Sequence, residues 1–230
     1  MDNYIVYLIL IVTCFIIGSI PTGLVVSKIV FGFDIRERGS GNIGSTNVFR
    51  VLGKKWGIFV QIFDVAKAFF AVLLVADLYV RSQVGDLIYL EYQVLIQLVA
   101  GISAVFGHIF SIFLKFKGGK GVSTIAGMLF AIAPFDFSFV IIIFLFLIFT
   151  SGYISLGAIL GGMSFPLIIL IRRYVFGFQH NNFEVLIAFA CLVSIIIIVT
   201  HIANIKRLIK GEENGFDNLK IIRFGKKRTS

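Results

Sequence analysis

The sequence predicts an all-α polytopic membrane protein of about seven transmembrane helices, with its N-terminus outside and its C-terminus cytoplasmic. Three observations lead there. Of the residues, 58% are hydrophobic, mean hydropathy is +0.99, and the basic residues gather between the apolar runs rather than within them. Soluble domains run near roughly 45–50% apolar. The 26 Phe are spread over all the apolar runs, as lipid-facing and packing side chains are, and not as a stacking box for a ligand.

A helix needs about 20 apolar residues to cross about 30 Å of hydrocarbon. The first candidate is Tyr4 to Phe31. Met-Asp-Asn before it lacks the positive region of a signal peptide, and the run is too long for one, so it is expected to stay as a first span. Runs at 56–80, 93–113 and 185–203 meet the same length. From Phe137 to Ile171 there is no charged residue, and at about 1.5 Å per residue that stretch is too long for one crossing. It is expected to fold back at Ser151-Gly152, giving two spans and a turn around Thr150 to Tyr153. Gly121 to Ala133 is short for a span, so it is either tilted or re-entrant.

Charge sets the count. Five Lys/Arg lie in 32–55, three in 114–121 and eight in 206–230, against Arg81, Arg172 and Arg173 on the other side. The positive-inside bias places the richer loops in the cytoplasm. An inside tail with an outside N-terminus requires an odd number of crossings, so 121–133 counts and the total is seven. Both polar islands described below, the Thr150 to Tyr153 turn and the tail then share one face. The expected organisation is one membrane domain, 1–205, followed by a basic cytoplasmic tail, 206–230. No repeat is long enough to indicate an inverted-repeat transporter.

A net charge of +9 on so apolar a chain points to anionic lipid and phosphorylated substrates, not to nucleic acid. Cys14 and Cys191 lie inside apolar spans without His or Cys neighbours at ligand spacing. Neither a disulfide nor a metal is expected.

Two polar, glycine-rich islands interrupt the apolar pattern. The first, Ser40 to Arg50, offers Ser40, Gly41, Asn42, Gly44, Thr46, Asn47 and Arg50. The second, Lys115 to Thr124, offers Lys115, Lys117 and Lys120 with Gly118, Gly119 and Gly121. Small residues free backbone N–H groups and the cations add fixed charge, the composition of an anion nest. Lys115 and Lys117 serve equally well as headgroup anchors. Lys120, flanked by three glycines, reads as a site residue. A Walker loop is rejected, because Gly121 follows Lys120 where Ser or Thr is needed and Leu114 stands at the first glycine position. No Gly-x-Ser-x-Gly elbow and no His-Glu-x-x-His pair is present, so covalent serine and metal chemistry lack support.

His108 fits either a site or helix packing. His201, Asn204 and Arg207 follow at three-residue steps and form a slanting polar stripe on the last helix. Asp64 and Lys67, three apart within the second span, are expected to neutralise each other, since unpaired charge there is costly.

At these residues the chain resembles the acyl-phosphate:glycerol-3-phosphate acyltransferases of bacterial membranes, the PlsY family. Four pieces carry the resemblance in order: Gly-Ser-Gly-Asn-Ile-Gly-Ser-Thr-Asn-Val-Phe-Arg at 39–50; Gly-His at 107–108 leading to Phe-Lys-Gly-Gly-Lys-Gly-Val-Ser-Thr at 116–124; Tyr-Ile-Ser-Leu at 153–156; and His-Ile-Ala-Asn-Ile-Lys-Arg-Leu at 201–208, followed by Gly211 and Glu213. Ser45 and Ser123 stand where the family often has alanine, which leaves a small side chain and hardly disturbs the likeness. The tail past Glu213 is longer than the family's.

The resemblance implies seven spans in a bacterial inner membrane and transfer of a fatty acyl group from acyl phosphate to the 1-hydroxyl of glycerol 3-phosphate, without a cofactor. It implies catalytic roles for Ser40, Arg50, Lys120 and His201. Substrate contacts then fall to the glycines and Asn42, Thr46, Asn47, His108, Ser155, Asn204, Arg207 and Glu213. The first island and Lys120 are expected to hold the phosphates, with His201, Asn204 and Glu213 orienting the glycerol phosphate and the acyl chain lying between spans among membrane lipids. The proton of the attacking hydroxyl goes to His201, to His108 or to the donor phosphate, and the last is favoured because no carboxylate recognisably orients either histidine. A transporter of organic phosphates would also show spans and basic loops, but it needs a polar path that the charge-free run 137–171 does not offer. A lipid-binding scaffold would not need the glycines around Lys120.

Overall fold

A computed structural model describes residues 3–179 and 181–213; residues 214–230 of the expected tail lie outside the described residues. All regular structure among them is helical. The chain forms two compact units, Met1–Ala133 and Pro134–Ser230.

In the first unit, α1 (Asn3–Ser19) and α2 (Thr22–Phe31) lead through a 3-10 turn, Ile35–Glu37, to α3 (Ser45–Leu52). Helix α4 (Lys54–Phe70) runs on as a π-helical stretch, Ala71–Val80, into a single turn, α5 (Arg81–Val84). Next come α6 (Asp86–Ile109), a second 3-10 turn, Ile112–Leu114, and α7 (Val122–Ile132). The second unit holds α8 (Pro134–Ser151), α9 (Ile154–Tyr174), α10 (Phe183–Thr200) and α11 (Ile202–Lys210).

Among the described residues, five helical stretches are long and apolar enough to cross a membrane: Tyr4–Phe31, Lys54–Val84, Asp86–Leu114, Pro134–Ser151 and Ile154–Tyr174. The pair Phe183–Val199 and Ile202–Lys210, bent by 57°, makes a sixth when counted as one span. The 11 residues of α7 reach only about 17 Å at 1.5 Å per residue, half the hydrocarbon thickness, and the expected seven counts this short helix. The turn expected at Ser151-Gly152 is where α8 ends. Gly152 has φ +79°, a conformation glycine adopts without strain, and the Tyr153 N–H donates to Ser151 Oγ at 3.1 Å. Tyr4 to Phe31 forms one candidate span as expected, with a local break inside it: α1 ends at Ser19 and α2 begins after Pro21, whose nitrogen has no hydrogen to continue the ladder.

Helices α1 and α6 approach closely because Gly107 has no side chain; a Cβ there would lie 2.1 Å from the Phe15 carbonyl oxygen. Small residues at such crossings are how helices pack where lipid supplies no hydrophobic drive. In the second unit, Ser194 Oγ on α10 donates to the Gly162 carbonyl of α9 at 2.8 Å. Arg172 at the end of α9 holds the fully buried Asp136 at the start of α8, Nη1 to Oδ2 2.8 Å, with its guanidinium between Phe135 and Phe178.

The expected Asp64–Lys67 pair forms within α4 at 2.8 Å, with side chains 2% and 7% exposed. Lys67 is fully engaged. Its Nζ lies 2.8 Å from Asp64 Oδ1, 2.9 Å from the Ile20 carbonyl at the Pro21 break and 2.9 Å from His108 Nδ1 on α6, three acceptors for the three hydrogens of an ammonium. Thr22 Oγ1 donates to the same Asp64 oxygen at 3.0 Å. Removing one partner of such a pair strands the other, a loss of about 3–5 kcal/mol. Lys67→Met is therefore expected to lower the thermal midpoint in detergent more than it lowers turnover per folded molecule, with Asp64→Asn added to it recovering part of the midpoint. An unchanged midpoint with turnover lost would place Lys67 in the chemistry instead.

Candidate functional site

The two polar islands meet in the first unit around a cavity of about 330 Å³. Ser40, Asn42, Gly44, Thr46, Asn47 and Arg50 line it from the first island, Lys120 and Gly121 from the second, and His108 from α6. Ser45, Val122 and Ser123 complete the wall.

The first island is shaped by its own asparagines. Asn47, 1% exposed, accepts from the Ser40 N–H at 2.8 Å and donates to the carbonyls of Arg38 and Asn42 at 3.1 and 2.9 Å. Its amide thus braces the loop from within and forms the nest, while the residue also lines the cavity. Asn42 Oδ1 takes the Gly44 N–H at 2.8 Å, an Asx turn that delivers the chain into α3. At the island's edge Asp34 accepts from the Arg36 side chain at 3.0 and 2.7 Å. That hydrogen bond, with the Arg36 N–H and the charges of Arg36 and Lys28, holds the Asp34 carboxyl well below its usual range.

The second island is pinned to α6 by backbone bonds: Gly118 N–H donates to the Ile109 carbonyl at 2.9 Å and Gly119 N–H to the His108 carbonyl at 3.0 Å. A Cβ on Gly119 would sit 2.1 Å from His108 Nε2, so only glycine lets the loop lie over the imidazole. Gly118 and Gly119 thus support the cavity from behind, and Gly41 is also outside its lining. Gly121 turns the chain with φ +80° into α7.

Both islands consequently end in a helix that starts at the cavity. Helix α3 follows Gly44 and α7 follows Gly121, and neither has a side-chain cap. Helix N-termini present unsatisfied N–H groups and a partial positive charge, a ready site for an anion. Arg50, from the last turn of α3, and Lys120 are exposed and line the same cavity, and among the described residues the lining contains no carboxylate.

Three connections have no local trace in the sequence. Gln61 of α4 accepts from Ser45 Oγ at 2.5 Å and from Ser123 Oγ at 2.9 Å, so the two serines are more than small fillers. Lys67 reaches His108. Asp64 lies 3.9 Å from His108 Nδ1, beyond hydrogen-bond reach, so the group that bonds this ring nitrogen is Lys67 and not a carboxylate.

The remaining candidates lie in the second unit. Asn204 Nδ2 donates to Glu213 Oε1 at 2.8 Å and Arg207 Nε to Oε2 at 2.7 Å, so two members of the expected stripe converge on one carboxylate. His201 stands at the bend between α10 and α11, with Nδ1 2.9 Å from the Ile197 carbonyl. Ser155 is buried near the start of α9. The Asn204 amide, then Arg207 and the Ser155 hydroxyl, hold Glu213 below its ordinary carboxyl value of 4.5. A depressed folded value contributes stability above the unfolded pKa and loses it as pH falls through the folded one. The thermal midpoint of the unsubstituted protein should therefore exceed that of Glu213→Gln by a constant margin from pH 7 down to about 5, and the margin should shrink below pH 4.5.

Comparison with known proteins places these residues in company. The family described as glycerol-3-phosphate acyltransferase matches residues 8–211. The chain is 45% identical over 222 residues to the glycerol-3-phosphate acyltransferase of Chlorobaculum tepidum, across 90% of this chain and 95% of that one. It is similar to the crystal structure of PlsY (YgiH), an integral membrane glycerol 3-phosphate acyltransferase, in its glycerol 3-phosphate form, with TM-score 0.69, 33% identity and coverage of 93% and 96%. The lysophosphatidic acid form of PlsY matches with TM-score 0.69, 32% identity and coverage of 93% and 97%.

Proposed function

Because the chain belongs to the glycerol-3-phosphate acyltransferase family, we propose that it transfers a fatty acyl group from acyl phosphate to the 1-hydroxyl of sn-glycerol 3-phosphate, releasing lysophosphatidic acid and inorganic phosphate. One observation carries the reading: two uncapped helix N-termini and the cations Arg50 and Lys120 face a single cavity. The solved relatives are named for glycerol 3-phosphate and lysophosphatidic acid forms, the acceptor and product of this reaction.

Acyl phosphate is a mixed anhydride, so it needs neither an activated serine nor a metal. The hydroxyl oxygen of the acceptor bonds to the acyl carbon, the bond from that carbon to the phosphate oxygen breaks, and phosphate leaves with the electron pair. The difficulty is holding two mutually repelling phosphates together, which positive charge and fixed N–H donors relieve. We assign Arg50, Lys120 and the N–H groups at the starts of α3 and α7 to the phosphates, and Ser40 and Thr46 to hydroxyl contacts with them.

The proton of the attacking hydroxyl passes to an oxygen of the donor phosphate. The Lys67 ammonium donates to His108 Nδ1, which leaves the neutral ring its hydrogen on Nε2, the nitrogen next to Gly119. His108 so placed is a donor toward the anion and not a base. The distribution of basic residues supports placing this chemistry at the cytoplasmic face of a bacterial inner membrane, with the chain up to 205 embedded among lipids and a basic tail after it.

Two measurements test the reading. Detergent-purified protein with glycerol 3-phosphate should form lysophosphatidic acid from acyl phosphate and not from acyl-CoA or acyl carrier protein; equal use of the thioesters would overturn the donor, and substrate movement across vesicles without turnover would indicate transport. Arg50→Ala and Lys120→Ala should each lose at least about 10²-fold in turnover, the scale for removing one stabilising group, with unchanged thermal midpoints. Near-normal turnover in both would remove the site.

A further inference from the structure

Helices α3 and α7, whose first turns face the cavity, are joined through α4, against which each of them packs. At that junction stands one uncharged polar side chain. Gln61 projects from the apolar α4, and its Oε1 receives the Ser45 hydroxyl of the first turn of α3 at 2.5 Å and the Ser123 hydroxyl of the first turn of α7 at 2.9 Å. Both serines line the cavity while Gln61 does not. A carboxamide oxygen has two lone pairs, and here each is taken by a different loop.

We propose that Gln61 is a positioning residue, a clasp that sets the separation of the two anion-binding helix starts and through it the affinity of the cavity for phosphate groups. The proposal rests on the reading above that the cavity takes phosphates. Its physical basis is that the N–H groups on either side of an anion act together only if both lie within hydrogen-bond reach of the same group, between about 2.7 and 3.2 Å. Packing of α3 and α7 against apolar side chains of α4 tolerates sliding; a three-centre hydrogen bond with both donors on the moving parts does not. Spacing of a cradle for groups present in both ground and transition state changes KM more than kcat.

The test measures steady-state kinetics, the calorimetric Kd for inorganic phosphate and the thermal midpoint on the full chain in detergent. Gln61→Leu keeps the volume and removes the acceptor. It should raise KM for glycerol 3-phosphate and the phosphate Kd by about tenfold, the scale of one lost hydrogen-bonded link, with kcat within about twofold. Ser45→Ala and Ser123→Ala should each weaken phosphate binding in the unsubstituted background and have no effect in the Gln61→Leu background, because the legs have nothing left to hold. The Ser45→Ala/Ser123→Ala double variant should reproduce Gln61→Leu, and it carries the test if the latter fails to fold. Unchanged phosphate affinity in these variants, or serine effects that simply add to that of Gln61→Leu, would overturn the clasp. The phosphate Kd reads the clasp even should the unsubstituted protein prove inactive with acyl phosphate, an outcome that would count against the reaction and not against Gln61.

Discussion

A lysine and an aspartate inside an apolar helix must be answered by neighbours, and the first unit is organised around that demand. Uncompensated charge in hydrocarbon is too costly to persist, so Asp64 and Lys67 draw three partners: the Ile20 carbonyl and the Thr22 hydroxyl on either side of Pro21, and His108 from α6. Three residues earlier on the same helix, Gln61 takes a hydroxyl from each anion loop. Helix α4 therefore carries a polar stripe at positions 61, 64 and 67, spaced to recur near one face, and every wall of the cavity is tied to it. The loops over the cavity are short and glycine-rich, and this strip anchors the helix starts that follow them.

The cavity has a division of labour between main chain and side chain. Asn47, Asn42, Gly118 and Gly119 spend their hydrogen bonds inside the protein, which fixes the loops, while the starts of α3 and α7 and the tips of Arg50 and Lys120 stay directed at the cavity. Preorganised donors act without reorganising when charge appears, the main source of stabilisation where no covalent step is needed. His108 links the two tasks: its ring borders the cavity, its carbonyl holds Gly119 and its Nδ1 is held by Lys67.

Much of this was legible in the chain because the signals are local. The two islands stand out as polar, glycine-rich words between apolar runs, and the turn at Ser151-Gly152 follows from a charge-free run too long for one crossing. The pairing of Asp64 with Lys67 follows from their three-residue spacing within a span. Tyr4 to Phe31 is one span by its length, and Pro21 marks the local break within it. What local reading missed is long-range: Lys67 meets His108 across 41 residues, and Gln61 meets Ser45 and Ser123 across 16 and 62. Asn47 was legible as a member of the island but not as its internal staple, since its role depends on carbonyls at 38 and 42 curling back to it. The π-helical stretch Ala71–Val80 is a plain apolar run of the kind that α-helices also carry, so nothing in its composition marks it.

The cavity wall carries two cations and, among the described residues, no acidic counterpart, so its fixed charge is positive. Its attraction is of the long-range kind that dissolved salt weakens, with a screening length of about 8 Å at physiological ionic strength. Every small oxyanion in the surrounding water is then a competitor for the same cradle, and electrostatic pull alone cannot tell one from another. Discrimination has to come from the rigid spacing of the N–H groups, so the geometry beneath the cavity governs which anion stays as much as the charge above it governs that one arrives.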